Sequence, residues 1–196
     1  RIVDTVTNRT VHKGRWIPWA TDEPTALLDH KRDGGIVCGH NTGFERTFWN
    51  TVILRYFPHF PRLEIEQMNC TMARAAAMAL PQSLEIVGAV LKTKAVKDLD
   101  GAGVMMKMAK PRKVNDDGTY VWWDAEDLKQ RLYAYCDGDV ETETEIGDTL
   151  PQLSAAETAV WHLDQHINDR GVQLDIPLIE RAVAVREAAK RLANER

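Results

Sequence analysis

The feature that most limits the fold is a junction. The apolar run Ile36-Val37-Cys38-Gly39 leads without a spacer into His40–Tyr56, where Phe44, Phe48, Val52 and Tyr56 recur every four residues. A short continuous apolar run reads as a buried strand, and a four-residue recurrence reads as one face of a helix. A strand that turns straight into a helix is the building unit of α/β proteins, whose ligands gather outside the carboxyl ends of strands. The junction, Gly39 to Glu45, is therefore the first place to look for a site. Pro58 and Pro61 end the helix.

The rest of the chain fits an α/β class. Val3 to Val11 is rich in Val and Thr and reads as strand, and a short helix is expected from Pro24 to His30, capped by Thr21 or Asp22. Asn69 is placed to cap a helix from Thr71 to Leu80, and Leu84, Val87 and Leu91 mark another. The stretch from Lys92 to Asp117 contains Gly101, Gly103 and Pro111 and predicts a long loop. Asp124 should cap a helix that carries Leu128, Leu132 and Tyr135, and helical character resumes through Ile146 to Leu150. Beyond Pro151 the pattern changes. Ser154 with Glu157 forms a capping box, Gly171 suits a left-handed cap, Val172 to Asp175 alternates as a strand does, and Pro177 opens a last helix. A boundary near Pro151 divides the chain into residues 1–151 and 152–196.

Charge is unevenly distributed. Seven basic residues lie between Lys92 and Lys113 (Lys92, Lys94, Lys97, Lys107, Lys110, Arg112, Lys113) against Asp98 and Asp100. Six acids lie between Asp137 and Asp148 with no base among them. A protein that holds a polyanion through metal ions needs both features. No apolar run is long enough for a membrane-spanning helix, so no membrane partner is expected. Three widely spaced cysteines, Cys38, Cys70 and Cys136, argue against a disulfide framework and for reduced thiols in a cytoplasmic protein. The start at Arg1-Ile2-Val3 and the stop in mid-pattern at Glu195-Arg196 lead us to expect a piece of a longer chain.

Two groups of residues carry chemistry. Tyr135 and Asp139 stand four apart in Tyr135-Cys136-Asp137-Gly138-Asp139, on one helix face. A carboxylate holds a hard cation such as Mg²⁺ or Mn²⁺, and a phenol with a pKa near 10 positions a water without deprotonating it. The plain structural alternative is a core tyrosine beside a solvated aspartate. The second group lies at the junction: Asn41 supplies an amide, Phe44 a ring on which a base can stack, and Glu45 a second carboxylate. Its alternative is a helix cap at Asn41 with Phe44 in the core. His162 and His166 also stand four apart but lack a third ligand, which makes a solvated face the better reading.

Taken in order, Asn41-Thr42-Gly43-Phe44-Glu45 and Tyr135-x3-Asp139 resemble the middle and last exonuclease motifs of phage-type family A DNA polymerases, in their tyrosine subclass. Cys70-Thr71-Met72-Ala73-Arg74, Leu80-Pro81-Gln82-Ser83-Leu84, the lysine-rich stretch from Lys94 to Pro111, and Glu157, Trp161, Asp164 and Arg170-Gly171-Val172 are similar to intervening and following segments of that family. Glu45 stands where the common form has Asp.

The resemblance implies a ribonuclease-H-like exonuclease fold, a mixed sheet flanked by helices. Residues 152–196 would open the polymerase domain. It implies two-metal (Mg²⁺ or Mn²⁺) hydrolysis at the 3′ end of single-stranded DNA, with primer-template DNA and the rest of a polymerase chain as partners. In it Asp139 and Glu45 hold metal, Tyr135 orients water, and Asn41 and Phe44 seat the terminal nucleotides. The family's first motif, Asp-x-Glu, has no counterpart before Asn41: Asp22 and Glu23 are adjacent and Asp4 stands alone. We therefore expect the first strand to precede Arg1, and this piece by itself to be a poor nuclease. Two alternatives stay open at this level: an inactive exonuclease fold that binds or scaffolds DNA, and a free-standing exoribonuclease. The last uses His five residues before the final Asp, where this chain has Ala134.

Overall fold

A computed structural model describes residues 2–4, 9–94 and 98–194. Residues 5–8 of the expected N-terminal strand, and Lys97 of the basic stretch, lie outside them. Strand β1 (Ile2–Asp4) pairs antiparallel with β2 (Arg9–His12). The apolar run becomes β3 (Val37–Gly39), parallel to β4 (Met68–Cys70) in the register Val37↔Met68, Cys38↔Asn69, Gly39↔Cys70. A third pair, β5 (Lys113–Val114) and β6 (Tyr120–Val121), closes a hairpin. The architecture is mixed α/β. The described strands form three separate two-stranded sheets, without one larger sheet joining them.

Helix α1 spans Thr25–Arg32, and Pro24 rather than Thr21 or Asp22 stands at its start. Helix α2 (Thr42–Phe48) follows β3 directly, passes through a π turn at Trp49–Ile53, and ends as α3 (Leu54–Tyr56). A π turn adds a residue to the helical repeat and rotates everything beyond it. The expected stripe of Phe44, Phe48, Val52 and Tyr56 is exposed, not buried. The core beneath this helix is instead Leu28, Ile53 and Phe60, with Trp16, Trp49, Leu54 and Phe57 packed on it.

A second core holds Ala75, Val87, Ile146 and Leu150, flanked by Leu80, Leu84 and Leu91. It joins α4 (Thr71–Ala77), α5 (Leu84–Leu91) and the end of α7 (Glu126–Thr149). Cys70, not Asn69, occupies the cap position of α4, and the Asn69 amide donates to Gln152. Arg74 is buried, and its guanidinium donates to the carbonyls of Gly147 (2.7 Å), Pro151 (2.9 Å) and Leu150, which closes the C-terminal end of α7.

The described residues of the stretch expected to be a long loop are not all loop. They contain α6 (Leu99–Met108) and then the β5–β6 hairpin. The Asp98 carboxylate caps α6 by accepting from Gly101 N–H at 2.9 Å, and it also pairs with Arg131 of α7. Gly101 is what lets α6 lie against α7: a Cβ there would stand 2.7 Å from Cδ2 of Tyr135. Asp124 does not cap α7; Ala125 holds that position and Asp124 pairs with Lys129.

Helix α8 (Ala155–Arg170) starts with the expected Ser154–Glu157 capping box, and Gly171 follows it at φ 70°. Residues 172–175 form no described strand and lead straight into α9 (Ile176–Asn194). Arg46 of α2 reaches Asp169 of α8 at 2.5 Å. No helix among the described residues is long and apolar enough to cross a membrane.

Candidate active site

The strand-to-helix junction is tight for a reason visible in the sequence. Asn41 takes the left-handed conformation (φ 73°, ψ 48°), which asparagine tolerates better than most residues, and its carbonyl accepts from Phe44 N–H at 2.8 Å. Gly39 ends β3 where a Cβ would meet Thr42 Cγ2 at 2.7 Å and Glu45 Oε2 at 3.8 Å. A side chain at Gly39 would push α2 away, and with it Glu45. The Asn41 side chain makes no cap hydrogen bond and points from an exposed position. Phe44 is 67% exposed and lies nearly parallel to Phe48, with ring centroids 6.4 Å apart. Asn41 does stand at the N-cap position of α2, as the structural alternative has it, though without a side-chain cap bond, and Phe44 is not a core ring.

The second side of the site is the middle of α7. Tyr135 is buried, and its hydroxyl donates to Asp139 one turn on. Burial first, then this bond and the carboxylate's charge, push the phenol pKa up to about 12. Four residues beyond Asp139 comes Glu143, a residue the motif reading passed over. Its half-buried carboxylate accepts from the backbone N–H of His40 and lies in electrostatic range of Glu45 and Asp139. Burial, followed by the charge of Glu45, pushes the Glu143 pKa up to about 7. Glu143 was discoverable: Tyr135, Asp139 and Glu143 form one i, i+4, i+8 row.

His40 is itself fixed. Its Nε2 donates to the Gln82 carbonyl at 2.7 Å, and its Nδ1 lies 2.9 Å from the Thr71 hydroxyl. Burial lowers its pKa, so it serves here as a neutral strut whose backbone N–H is held toward α7. Glu45 as a residue is exposed, but its carboxyl end is drawn in beside Gly39, and that desolvation raises its pKa. Glu143 thus connects the two predicted carboxylates, Glu45 from the junction and Asp139 from the helix.

The acidic run is sorted by helix face. Asp137 pairs with Arg15, and Glu141 meets Lys13 at 3.2 Å. Glu145 accepts from Lys94 N–H at 2.6 Å. Among the described residues, no salt bridge reaches Asp139, Glu143 or Glu45. Thr42 Oγ1, buried at the same junction, has no hydrogen-bond partner among the described residues. Hard oxygen donors without a countercharge suit a divalent cation in kind. In number they fall short, because no three His, Cys, Asp or Glu side chains among the described residues come close enough together to enclose a metal ion.

Over 158 residues, 78% of this chain, the sequence is 32% identical to a protein named DNA polymerase from Bacillus phage SP02. The chain is related in sequence to part of a phage DNA polymerase. It spans about a quarter of that polymerase's length (24%). No protein-family model matches the chain, and no solved structure does.

Proposed function

We propose that this chain is the 3′→5′ exonuclease region of a phage-type family A DNA polymerase, with a ribonuclease-H-like fold. It would remove 3′-terminal nucleotides from single-stranded DNA by hydrolysis with two divalent ions. Residues from 152 onward would begin the polymerase domain, and the partners would be the rest of that chain, a single-stranded 3′ end and primer-template DNA. The observation that carries the reading is the row Tyr135–Asp139–Glu143 facing Glu45 at the carboxyl end of β3, with no cation of the described residues to balance it.

Asp139 and Glu45 would hold Mg²⁺ or Mn²⁺ only in combination with acids from outside the described residues, because no three described acids come close enough to enclose an ion. When bound, the metal supplies Lewis acidity and a water acidic enough to attack phosphorus. The chain's own residues do the rest. With its pKa at about 12, Tyr135 keeps its proton near neutrality. Its O–H donates a hydrogen bond to Asp139, so its oxygen lone pairs are fixed in direction and orient a water. Asn41 offers an exposed amide, and Phe44 an exposed ring for the terminal nucleotides. The absence of a metal-competent trio among the described residues keeps one other reading in view, an inactive module that binds DNA.

One experiment separates them: release of nucleotides from 3′-labelled single-stranded DNA by the intact polypeptide, with Mg²⁺ and with EDTA. Metal-dependent release that Asp139→Asn abolishes, with primer extension left intact, is the expected result. Release that survives Asp139→Asn in a folded protein refutes the assignment, and no release with DNA binding retained favours the inactive module.

A further inference from the structure

The hairpin between α6 and α7 presents an unusual surface. Tyr120 on β6 and Trp122, just past its end, stand two residues apart, 61% and 54% exposed, with ring centroids 6.2 Å apart. Val114, paired with Tyr120 across the hairpin, is 53% exposed on the same face. Large rings left in water on a short hairpin are costly unless something covers them. What surrounds them is positive. Lys107, Lys110, Arg112 and Lys113 are all exposed and have no acid between them in sequence. Of the nearby acids, Asp124 is paired with Lys129, while Asp116 and Asp117 are exposed at the hairpin turn, Asp117 accepting from Thr119 N–H at 2.9 Å and its hydroxyl at 2.7 Å, so the four cations outnumber the two free carboxylates.

The platform is also rigid. Arg112 N–H donates to the Val121 carbonyl at 2.7 Å, Asn115 N–H to Thr119 at 2.9 Å, and Gly118 makes the turn at φ 81°. Trp123 anchors the base: Lys107 Nζ sits 4.2 Å from its ring centre and Arg112 Cζ 5.5 Å. These cation–π contacts hold two positive charges beside the rings. Exposed aromatic rings set among fixed cations are what a single strand of nucleic acid requires, since every base has a face to stack and every linkage a negative charge.

We propose that the β5–β6 hairpin is a stacking platform for single-stranded nucleic acid, with bases on Tyr120 and Trp122 and phosphates on Lys107, Lys110, Arg112 and Lys113. It is separate from the acidic site. Helix α7 puts nine residues, about 13 Å along its axis, between its start at Glu126 and Tyr135, and Trp123 lies before that start. The choice of a nucleic acid as occupant follows from the charge. A purely apolar protein surface would leave four cations unmatched.

The test uses the intact polypeptide and a single-stranded oligonucleotide carrying 5-iodouracil, crosslinked by light in EDTA so that nothing is degraded. The crosslinked peptide should contain Tyr120 or Trp122. Tyr120→Ala with Trp122→Ala should remove that crosslink and weaken binding at least fivefold, while Trp122→Phe, which keeps a ring, retains most of both. Arg112→Gln with Lys113→Gln should lower the steepness of the salt dependence. Crosslinks confined to other peptides, with affinity unchanged in the folded double-alanine variant, overturn the proposal. So does protection of the two rings by another part of the polypeptide in the absence of DNA. Asp139→Asn reports independently on the acidic site: if it leaves nucleotide release intact while the hairpin crosslink persists, the exonuclease reading fails and the platform stands.

Discussion

Replacing Glu143 by Gln should make the metal-free protein more stable, by an amount that grows from about pH 4.5 and levels off at about pH 7. In the folded state the carboxyl keeps its proton until about pH 7 instead of the ordinary 4.5, because it is half-buried and faces Glu45 and Asp139 with one backbone N–H, from His40, to offset them. Between those two pH values the folded protein binds more protons than the unfolded chain, so this residue's contribution makes stability fall as pH rises. The loss is complete above about 7. Each pH unit between the two values is worth about 1.4 kcal/mol, which sets an upper limit near 3.5 kcal/mol. The carboxylate keeps some contact with water and its neighbours can relax, so we expect a gain of about 1–2 kcal/mol for Glu143→Gln at pH 8. Below pH 4.5 the side chain is neutral in both states and the gain should vanish. Glutamine has the same shape and its carbonyl can still accept from His40 N–H, so the substitution isolates charge. Urea unfolding in EDTA, at several pH values from 4 to 8 and for both proteins, measures the difference directly. A difference that does not change with pH, or a variant less stable at pH 8, would refute the placement of Glu143 beside the other two acids. An acid that costs stability in a metal-free protein is the kind retained for function.

Tyr135→Phe should leave the fold intact and slow nucleotide release by about ten- to a thousandfold, since only the oriented hydroxyl is lost; single-turnover kinetics reads this, and unchanged rates reduce Tyr135 to a core residue. Arg74→Met should cost about 2–4 kcal/mol by denaturant unfolding, because three carbonyls at the end of α7 lose a buried charged donor. Lysine at position 74 should recover part of this and not all, lacking the planar fork. Gly101→Ala should drive a methyl into the Tyr135 ring, costing about 1–3 kcal/mol and lowering nuclease activity together; a neutral substitution would mean that α6 does not press on the site.

Legibility in the sequence followed the range of the interaction. The β3–α2 junction and the Ser154–Glu157 capping box depend on neighbours within a few residues, and the residue types alone point to them; that the helix through Tyr135 and the helical stretch ending near Leu150 form one α7 is seen only in the fold. Where a longer-range contact wins, the expectations fail. The stripe of Phe44, Phe48, Val52 and Tyr56 has the spacing of a core face, yet a π turn and the demands of Trp16, Leu28 and Phe60 turn Trp49 and Ile53 inward instead. The glycines of the basic stretch signal a loop, but Gly101 is there for packing: it lets a helix approach Tyr135 more closely than any side chain would allow. Asn69 and Asp124 are good caps by type, and both are used elsewhere, on Gln152 and Lys129.

The sequence by itself determines which residues have the right chemistry: the phenol and carboxylate one turn apart at Tyr135 and Asp139, and the amide, ring and carboxylate at Asn41, Phe44 and Glu45. It carries this because spacing along a helix, or across a strand-to-helix turn, is a local matter. Which acids share a field is decided only by the tertiary structure. Glu45 and Asp139 lie 94 positions apart, and only the docking of α7 against the end of β3, held by the His40 N–H on Glu143, makes them neighbours of one carboxylate. The same packing gives Asp137 and Glu141 to Arg15 and Lys13 on the opposite side of the helix. A run of six acids looks uniform in sequence, but a helix turns about 100° per residue, so the fold can neutralise one face and leave the other charged.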